Sequence, residues 1–256
     1  MVSASRPTLE AQWAQLGVLL AVAPAQHEID LERVLLHTAR EVSAHARLFG
    51  LTITWLAEYS GFIAKNRLRR LVIDELEPAF QPALGLILEE AITHGAQPDL
   101  RLAIDVCRPA RPPRPLFAAS QDHASLRTLA EQTASAASKR WGVWAPAADL
   151  KKDAIRPAAW LLEQNPSLRG RIVRRGDLRC SILETLRHDT HGEVESESAL
   201  ARLNAATRVA VRKSLQALVL EGEIRYIDRD GRGRGVAIVH ERRSGQDGPA
   251  GSRSHW

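Results

Sequence analysis

The segment 178–239 constrains the fold more than any other part of the chain. Apolar residues recur at helical spacing over 178–186 and predict a first helix that buries one face. A polar stretch at 188–195 follows, and Ser196 or Ser198 can cap a short second helix. This spacing predicts a small helical unit in the C-terminal third of the chain.

A third helix is predicted to begin after the turn Asn204-Ala205-Ala206 and to run to about Glu221. Thr207 can cap it, and Gly222 stands where a left-handed residue commonly ends a helix. Its inner face is apolar and consists of Val211, Leu215 and Leu218. Its other face carries long polar side chains, namely Arg208, Arg212, Gln216 and, beside them, Lys213.

Two short strands are predicted after the third helix. The first is 224–227, and the return strand is 236–239. Asp230-Gly231 between them is a typical hairpin sequence, and Arg232-Gly233-Arg234-Gly235 follows it. The fold class predicted for the chain is therefore mainly α, with an N-terminal helical domain and a C-terminal winged helix of three helices and a β-hairpin wing.

The division of the third helix into two faces suits duplex DNA. An apolar stripe would hold the helix on its domain, while long donors near its start could reach base edges and phosphates in the major groove. Glycines in the hairpin would allow close approach to the DNA backbone, and its arginines would supply charge.

The formal charge of residues 1–164 is balanced, with 18 Lys and Arg against 18 Asp and Glu, whereas residues 165–256 carry 17 Lys and Arg against 12 Asp and Glu. The excess of positive charge thus lies with the motif.

The run SESALARLNAATRVAVRKSLQALVLEGEIRYIDRDGRGRGVAIV resembles the winged helix of bacterial GntR-type and related MarR-like regulators. The resemblance rests on Ser196-Glu197, Leu200-Ala201, Thr207-Arg208, Val211-Arg212, Leu215, Leu218, Glu221-Gly222 and the Gly-Arg-Gly of the wing. It implies DNA contacts by Arg208, Arg212, Arg232, Gly233 and Arg234. The sequence departs from the family at Asn204-Ala205-Ala206, where those regulators have Leu-Gly-Val, and in the C-terminal position of the motif. It therefore indicates a winged helix rather than membership of that family.

The leading functional hypothesis is a duplex DNA-binding protein, most simply a bacterial transcriptional regulator, without enzymatic activity. Its predicted contacts are Thr207, Arg208, Arg212, Lys213, Gln216, Arg232, Gly233 and Arg234. An alternative is a DNA-binding or adaptor subunit of a multi-protein mobile-element or phage-defence system, and RNA binding is a third hypothesis. We expect a homodimer, because many such proteins read paired half-sites, and protein partners remain open.

The rest of the chain is predicted to divide into further segments. We expect a weakly ordered segment at 1–27, an all-helical domain at 28–106 and a proline-rich linker at 107–121. Connecting helices at 122–167, the winged helix at 168–240 and a disordered tail at 241–256 complete the prediction. The tryptophans of the connecting helices are expected to pack onto the C-terminal domain. The apolar stretch 16–23 resembles a short signal peptide, but we interpret it as a core helix.

A second basic segment in the N-terminal half could also contact DNA. A helix, a turn at Ser60-Gly61 and a basic helix succeed each other there, and the candidate residues are Lys65, Arg67, Arg69 and Arg70. The alternative is a bundle helix whose basic side chains face solvent.

Enzyme and metal chemistry have little support in the sequence. No glycine-rich phosphate loop follows a predicted strand, and His188 and His191 lack a clear third ligand, so we predict no cofactor and no metal. Cys107 and Cys180 are far apart and are expected to be free thiols in a reducing cytoplasm. No run of apolar residues is long enough to cross a membrane. A cytoplasmic, nucleoid-associated protein is therefore expected.

Overall fold

The computed structural model describes residues 7–228 and 234–239 and is mainly helical there. The helices that precede the prolines are α1 (Leu9–Gln15), α2 (Leu31–Glu41), α3 (Ala46–Tyr59), α4 (Lys65–Glu75), α5 (Gln81–Thr93) and α6 (Arg101–Ile104). The helices of the middle part of the chain are α7 (Ala118–Gln121), α8 (Ala124–Thr133), α9 (Ala136–Trp141), α10 (Ala158–Gln164) and α11 (Arg169–Arg174). The last three are α12 (Leu178–Asp189), α13 (Glu197–Leu203) and α14 (Arg208–Leu220). None of the helices in these ranges is both long and apolar enough to span a bilayer.

Within the described ranges, five short strands form two small sheets. β1 (Arg114–Pro115) pairs in parallel with β2 (Val143–Trp144). β3 (Glu193–Val194), β4 (Ile224–Asp228) and β5 (Arg234–Ile238) form an antiparallel sheet in the order β3-β5-β4. In that sheet Val194 and Tyr226 both lie opposite Val236, so the sheet joins the chain before α13 to the chain after α14.

Residues 8–18 of the N-terminal segment are part of the main core, contrary to the expectation of weak order, whereas residues 19–27 are mostly exposed. Thr8 caps α1 by accepting a hydrogen bond from the Ala11 amide, and Trp13 is fully buried. The Trp13 indole donates to the Thr38 hydroxyl at 2.9 Å and packs edge-on against Trp55. The apolar stretch 16–23 is not a helix, because α1 ends before it at Gln15. Residues 1–6 lie outside the described residues.

Residues 107–121 and 122–167 also belong to this core rather than linking two domains. Leu116 is buried, and β1 pairs with β2 across the intervening helices. Trp141 packs on α5, where a Cβ at Gly85 would lie 2.4 Å from its ring. The prediction that the tryptophans pack onto the C-terminal domain is thus wrong for Trp141. The prolines between 109 and 115 exclude a regular helix in that segment, but the extended chain packs against its neighbours through Leu116.

One helix boundary in the N-terminal half differs from what the apolar spacing alone predicts. Apolar residues recur at roughly helical spacing from Leu31 through Val42 to Ala46, and Gly50 is the next residue that commonly interrupts a helix. Instead α2 ends at Glu41 and α3 begins at Ala46, so that Gly50 lies inside α3. The apolar spacing of two successive helices was continuous across the short turn between them.

A second, smaller core lies in the C-terminal part of the chain. Its buried residues come from α12, α13, α14 and the three-stranded sheet, and they include Ile182, Leu186, Leu200, Val211, Leu215, Leu218 and Val236. This unit therefore has its own hydrophobic cluster, separate from the one built by residues 9–168. The predicted tail at 241–256 lies outside the described residues.

A cluster of buried charges joins the two cores. Arg171 of α11 donates to Glu32 of α2 at 2.7 Å and to Glu184 of α12 at 2.5 Å. Arg67 of α4 bonds the same Glu32 at 2.9 Å and Asp189 of α12 at 2.8 Å. All five side chains are at most 7% exposed. We call Glu32, Arg67, Arg171, Glu184 and Asp189 the buried ion cluster.

Replacing Arg171 by Met should destabilise the protein strongly, because Glu32 and Glu184 would lose their shared cation while remaining buried. Breaking a buried pair in this way lowers the free energy of unfolding by about 3–5 kcal/mol. The matched control is Arg187→Met, which removes a partly exposed partner of the same Glu184. It should cost less than about 1 kcal/mol. Urea unfolding at neutral pH measures both, and equal losses would contradict the importance of burial.

Acid should weaken the same junction. Burial alone would raise the pKa of Glu184, but Arg171 and His188 hold it well below its ordinary value of 4.5. Asp30 is only partly exposed, and its bonds to Arg67 hold its pKa below 3.8. Carboxylates whose pKa is lowered by folding stabilise the protein above their ordinary pKa and lose that contribution as the pH falls below it. The free energy of unfolding should therefore drop from about pH 5 to about pH 3.

The Arg171→Met variant provides the control for this pH dependence. Without the Arg171 cation the pKa of Glu184 is lowered less, so the variant should lose less additional stability on acidification. Denaturation curves of both proteins across this range test the prediction, which parallel losses would contradict.

Candidate nucleic-acid interface

The two faces of α14 are separated as the sequence predicts. Its inner residues Val211, Leu215 and Leu218 are fully buried in the second core. The predicted contact residues Arg208, Arg212, Lys213 and Gln216 are all exposed. Thr207 is the N-cap, and its hydroxyl accepts a hydrogen bond from the Ala210 amide at 3.2 Å. Thr207 thus orients the start of the helix.

An open groove runs beside α14, between the start of α13 and the hairpin. Its lining consists of Ser196, Glu197, Ser198, Arg208, Arg212, Gln216, Tyr226 and Arg234. Four of the predicted contact residues therefore share one surface, although Arg234 follows Gln216 only after a strand and a turn. Lys213 is exposed on the same helix but is not part of the groove lining. Arg232 and Gly233 lie outside the described residues. We call this surface the α14 groove.

Glu197 is a groove residue that the sequence reasoning did not select. Its Oε2 accepts a hydrogen bond from Arg212 Nε at 3.1 Å, and its Oε1 accepts one from the Tyr226 hydroxyl at 3.4 Å. Burial and the neighbouring Glu197 carboxylate raise the pKa of Tyr226, so its hydroxyl stays protonated and can donate. The available signal was the position of Glu197 directly after the cap Ser196, which places it in the first turn of α13.

The turn between α13 and α14 sets the approach of the third helix. Asn204 is fully buried, donates to the Leu200 carbonyl and accepts from the Thr185 hydroxyl, so it ties the turn to α12. Ala205 follows with φ of 46°, in the left-handed region that disfavours side chains. Ala205 occupies the middle position of the turn, where the regulators that the segment resembles have glycine.

Replacing Ala205 by Gly should stabilise the protein by about 0.5–1 kcal/mol, because relief of the left-handed strain exceeds the added freedom of the unfolded chain. The matched control is Ala206→Gly at the next position, which has no positive φ and should be destabilised by a similar amount. Thermal unfolding of both variants measures these opposite changes in stability. If both substitutions destabilise the protein, Ala205 is not strained in the left-handed region.

The second basic segment is not available to DNA at two of its four candidate positions. Lys65 is buried, and its ammonium group donates to the Arg175 carbonyl at 2.6 Å. Arg67 is fully buried in the ion cluster. Arg70 is mostly covered and pairs with Asp189, while Arg69 is half-buried. The suggestion of DNA contacts is therefore wrong for Lys65 and Arg67, because they bind carboxylates and carbonyls from distant parts of the chain.

The cysteine thiols and His188, which could in principle act as a nucleophile or a metal ligand, are buried or already bonded within the protein. Burial raises the pKa of both free thiols, Cys107 and Cys180, to about 12, so neither is an activated nucleophile. His188 lies in the last turn of α12, with its Nε2 atom 3.3 Å from Oε2 of Glu184. Over the residues that the structure describes, no group of three or more His, Cys, Asp or Glu is placed to hold a metal ion.

A polar cleft between α2 and the end of α12 is a weaker candidate site. It is lined in part by Arg33, Arg40 and His188. Arg33 already bonds Glu75 at 2.6 Å, and Arg40 pairs with Glu77 at 2.9 Å. Both arginines of the cleft are thus paired with carboxylates. In the α14 groove, Arg212 is the one arginine of the described lining that forms such a pair, so the groove is the better candidate for binding an anion.

Comparisons of the chain with family models, curated proteins and solved structures gave no match.

Proposed function

We propose that residues 178–239 form a winged helix that binds duplex DNA, with α14 in the major groove and the β4–β5 hairpin against the backbone. The observation that carries the proposal is the α14 groove, in which Arg208, Arg212, Gln216 and Arg234 come together from a helix and a hairpin. A transcriptional regulator is the simplest protein of this kind.

The order of elements supports this proposal. α12, β3, α13, α14, β4 and β5 follow in the sequence of a winged helix, and the first strand completes the sheet of the hairpin. The buried stripe of α14 leaves its N-terminal half free on the outside. A recognition helix needs that exposure, since its first turns reach the base edges.

The chemistry of the groove also suits DNA. Arginine offers a planar fork of donors that fits phosphate oxygens and the O6 and N7 atoms of guanine, and glutamine can pair with adenine. Arg212 is 57% exposed although it contacts Glu197, so much of its guanidinium is accessible. A deep apolar pocket, which small-molecule sites prefer, is absent from the described lining of this groove.

The double variant Arg208→Ala, Arg212→Ala should bind duplex DNA at least about tenfold more weakly, because each good arginine contact contributes about 1–3 kcal/mol. The slope of log affinity against log salt should fall by about 1 for each phosphate contact that is lost. Fluorescence anisotropy with the duplex upstream of the protein's own gene, at two salt concentrations, measures both quantities.

The matched control is Arg101→Ala, Arg127→Ala, which removes the same charge from exposed positions away from the groove. It should leave affinity nearly unchanged, because screening limits the reach of these charges to about 10 Å. Equal effects of the two double variants would reduce the proposal to a general charge effect. Tighter competition by duplex RNA than by DNA would favour the RNA hypothesis, and no measurable affinity of the parent for DNA would favour an adaptor role.

A further inference from the structure

We propose that Glu197 is a positioning residue for base recognition, which holds one edge of Arg212 so that its terminal amino groups face a guanine in the major groove. This inference rests on the proposed function and adds to it a base preference and the residue that controls it.

In the pair of Glu197 and Arg212, one donor of the arginine is bonded and the others, within the described residues, are free for a ligand. Glu197 Oε2 takes the Nε proton at 3.1 Å. Within the described part of the chain, neither Nη atom of Arg212 donates to a protein acceptor. The guanidinium is therefore fixed at its inner edge and open at its outer edge. Two parallel N–H donors at that outer edge match the two acceptors that guanine alone presents, O6 and N7.

Glu197 is itself restrained. Its side chain is only 17% exposed, and the Tyr226 hydroxyl holds its other oxygen at 3.4 Å. Tyr226 lies on β4, so the carboxylate connects α13, α14 and the hairpin across the groove. A free arginine would sample many rotamers, and fixing it beforehand reduces the entropy that is lost when a base is bound.

A carboxylate in this groove also acts against indiscriminate binding. Its charge opposes the approach of phosphate oxygens, which any duplex supplies, whereas a well-placed guanine contact compensates for that repulsion. Loss of Glu197 should therefore strengthen binding to arbitrary DNA and weaken the preference for the correct base. Loss of a residue that served only stability would not change base preference in this way.

The test compares Glu197→Ala, Glu197→Gln and Arg212→Ala with the parent, using enrichment from a random duplex library followed by competition of the enriched duplex against an unrelated one. Glutamine retains an oxygen that can accept from Arg212 Nε but carries no charge. The matched control is Glu195→Ala, because Glu195 is exposed, pairs with Arg202 at 3.8 Å and does not line the groove.

The parent should enrich a position with guanine that Arg212→Ala no longer prefers. Glu197→Ala should lower the preference at that same position about tenfold, the size of one bidentate base contact. Glu197→Gln should retain most of the preference, and Glu195→Ala should behave as the parent. An unchanged guanine preference in Glu197→Ala, or equal losses in the alanine and glutamine variants, would overturn the positioning role while leaving the proposed function intact. A parent that binds no duplex would overturn both.

Discussion

The buried ion cluster is the interaction on which the arrangement of the two cores depends. Glu32 binds both Arg67 and Arg171, and those arginines reach Asp189 and Glu184 on α12. Charges removed from water are costly unless each one is paired, so the cluster is stable only when α2, α4, α11 and α12 are all in place. A hydrophobic contact tolerates sliding, but a set of paired charges at 2.5–2.9 Å does not.

This constraint determines how the α14 groove is presented. α12 belongs at once to the ion cluster and to the second hydrophobic core, where Ile182, Leu183 and Leu186 pack against α14. A second link lies at the C-terminal end of α14. There Arg174 of α11 binds Glu221 at 2.7 Å and Glu223 at 2.6 Å. α14 is thereby supported from both sides, which leaves its arginine face toward solvent.

Local features of the sequence predicted the C-terminal unit, while the N-terminal half depended on contacts that local patterns do not encode. The caps Ser196 and Thr207 and the apolar spacing of α14 act within a few residues, so they could be read directly. The basic segment around Arg67 looked solvent-exposed because its partners are 37 and 122 positions away in the chain. In the same way, the prolines between 109 and 115 exclude a regular helix there but carry no information about packing. The contact of Glu197 with Tyr226 needed the folded hairpin and could not be predicted.

Charged side chains have different roles in the two parts of the C-terminal unit, structural in the ion cluster and available for binding in the α14 groove. In the ion cluster every cation is neutralised and buried, so its charges contribute to the arrangement of the chain and little to the outer field. In the α14 groove the arginines are exposed, and one carboxylate, Glu197, offsets part of their charge. A surface with arginines alone would bind any polyanion, while one with an internal carboxylate binds phosphate less well and places greater demands on geometry. The balance of these charges, rather than the net charge of the chain, is what would make the groove selective.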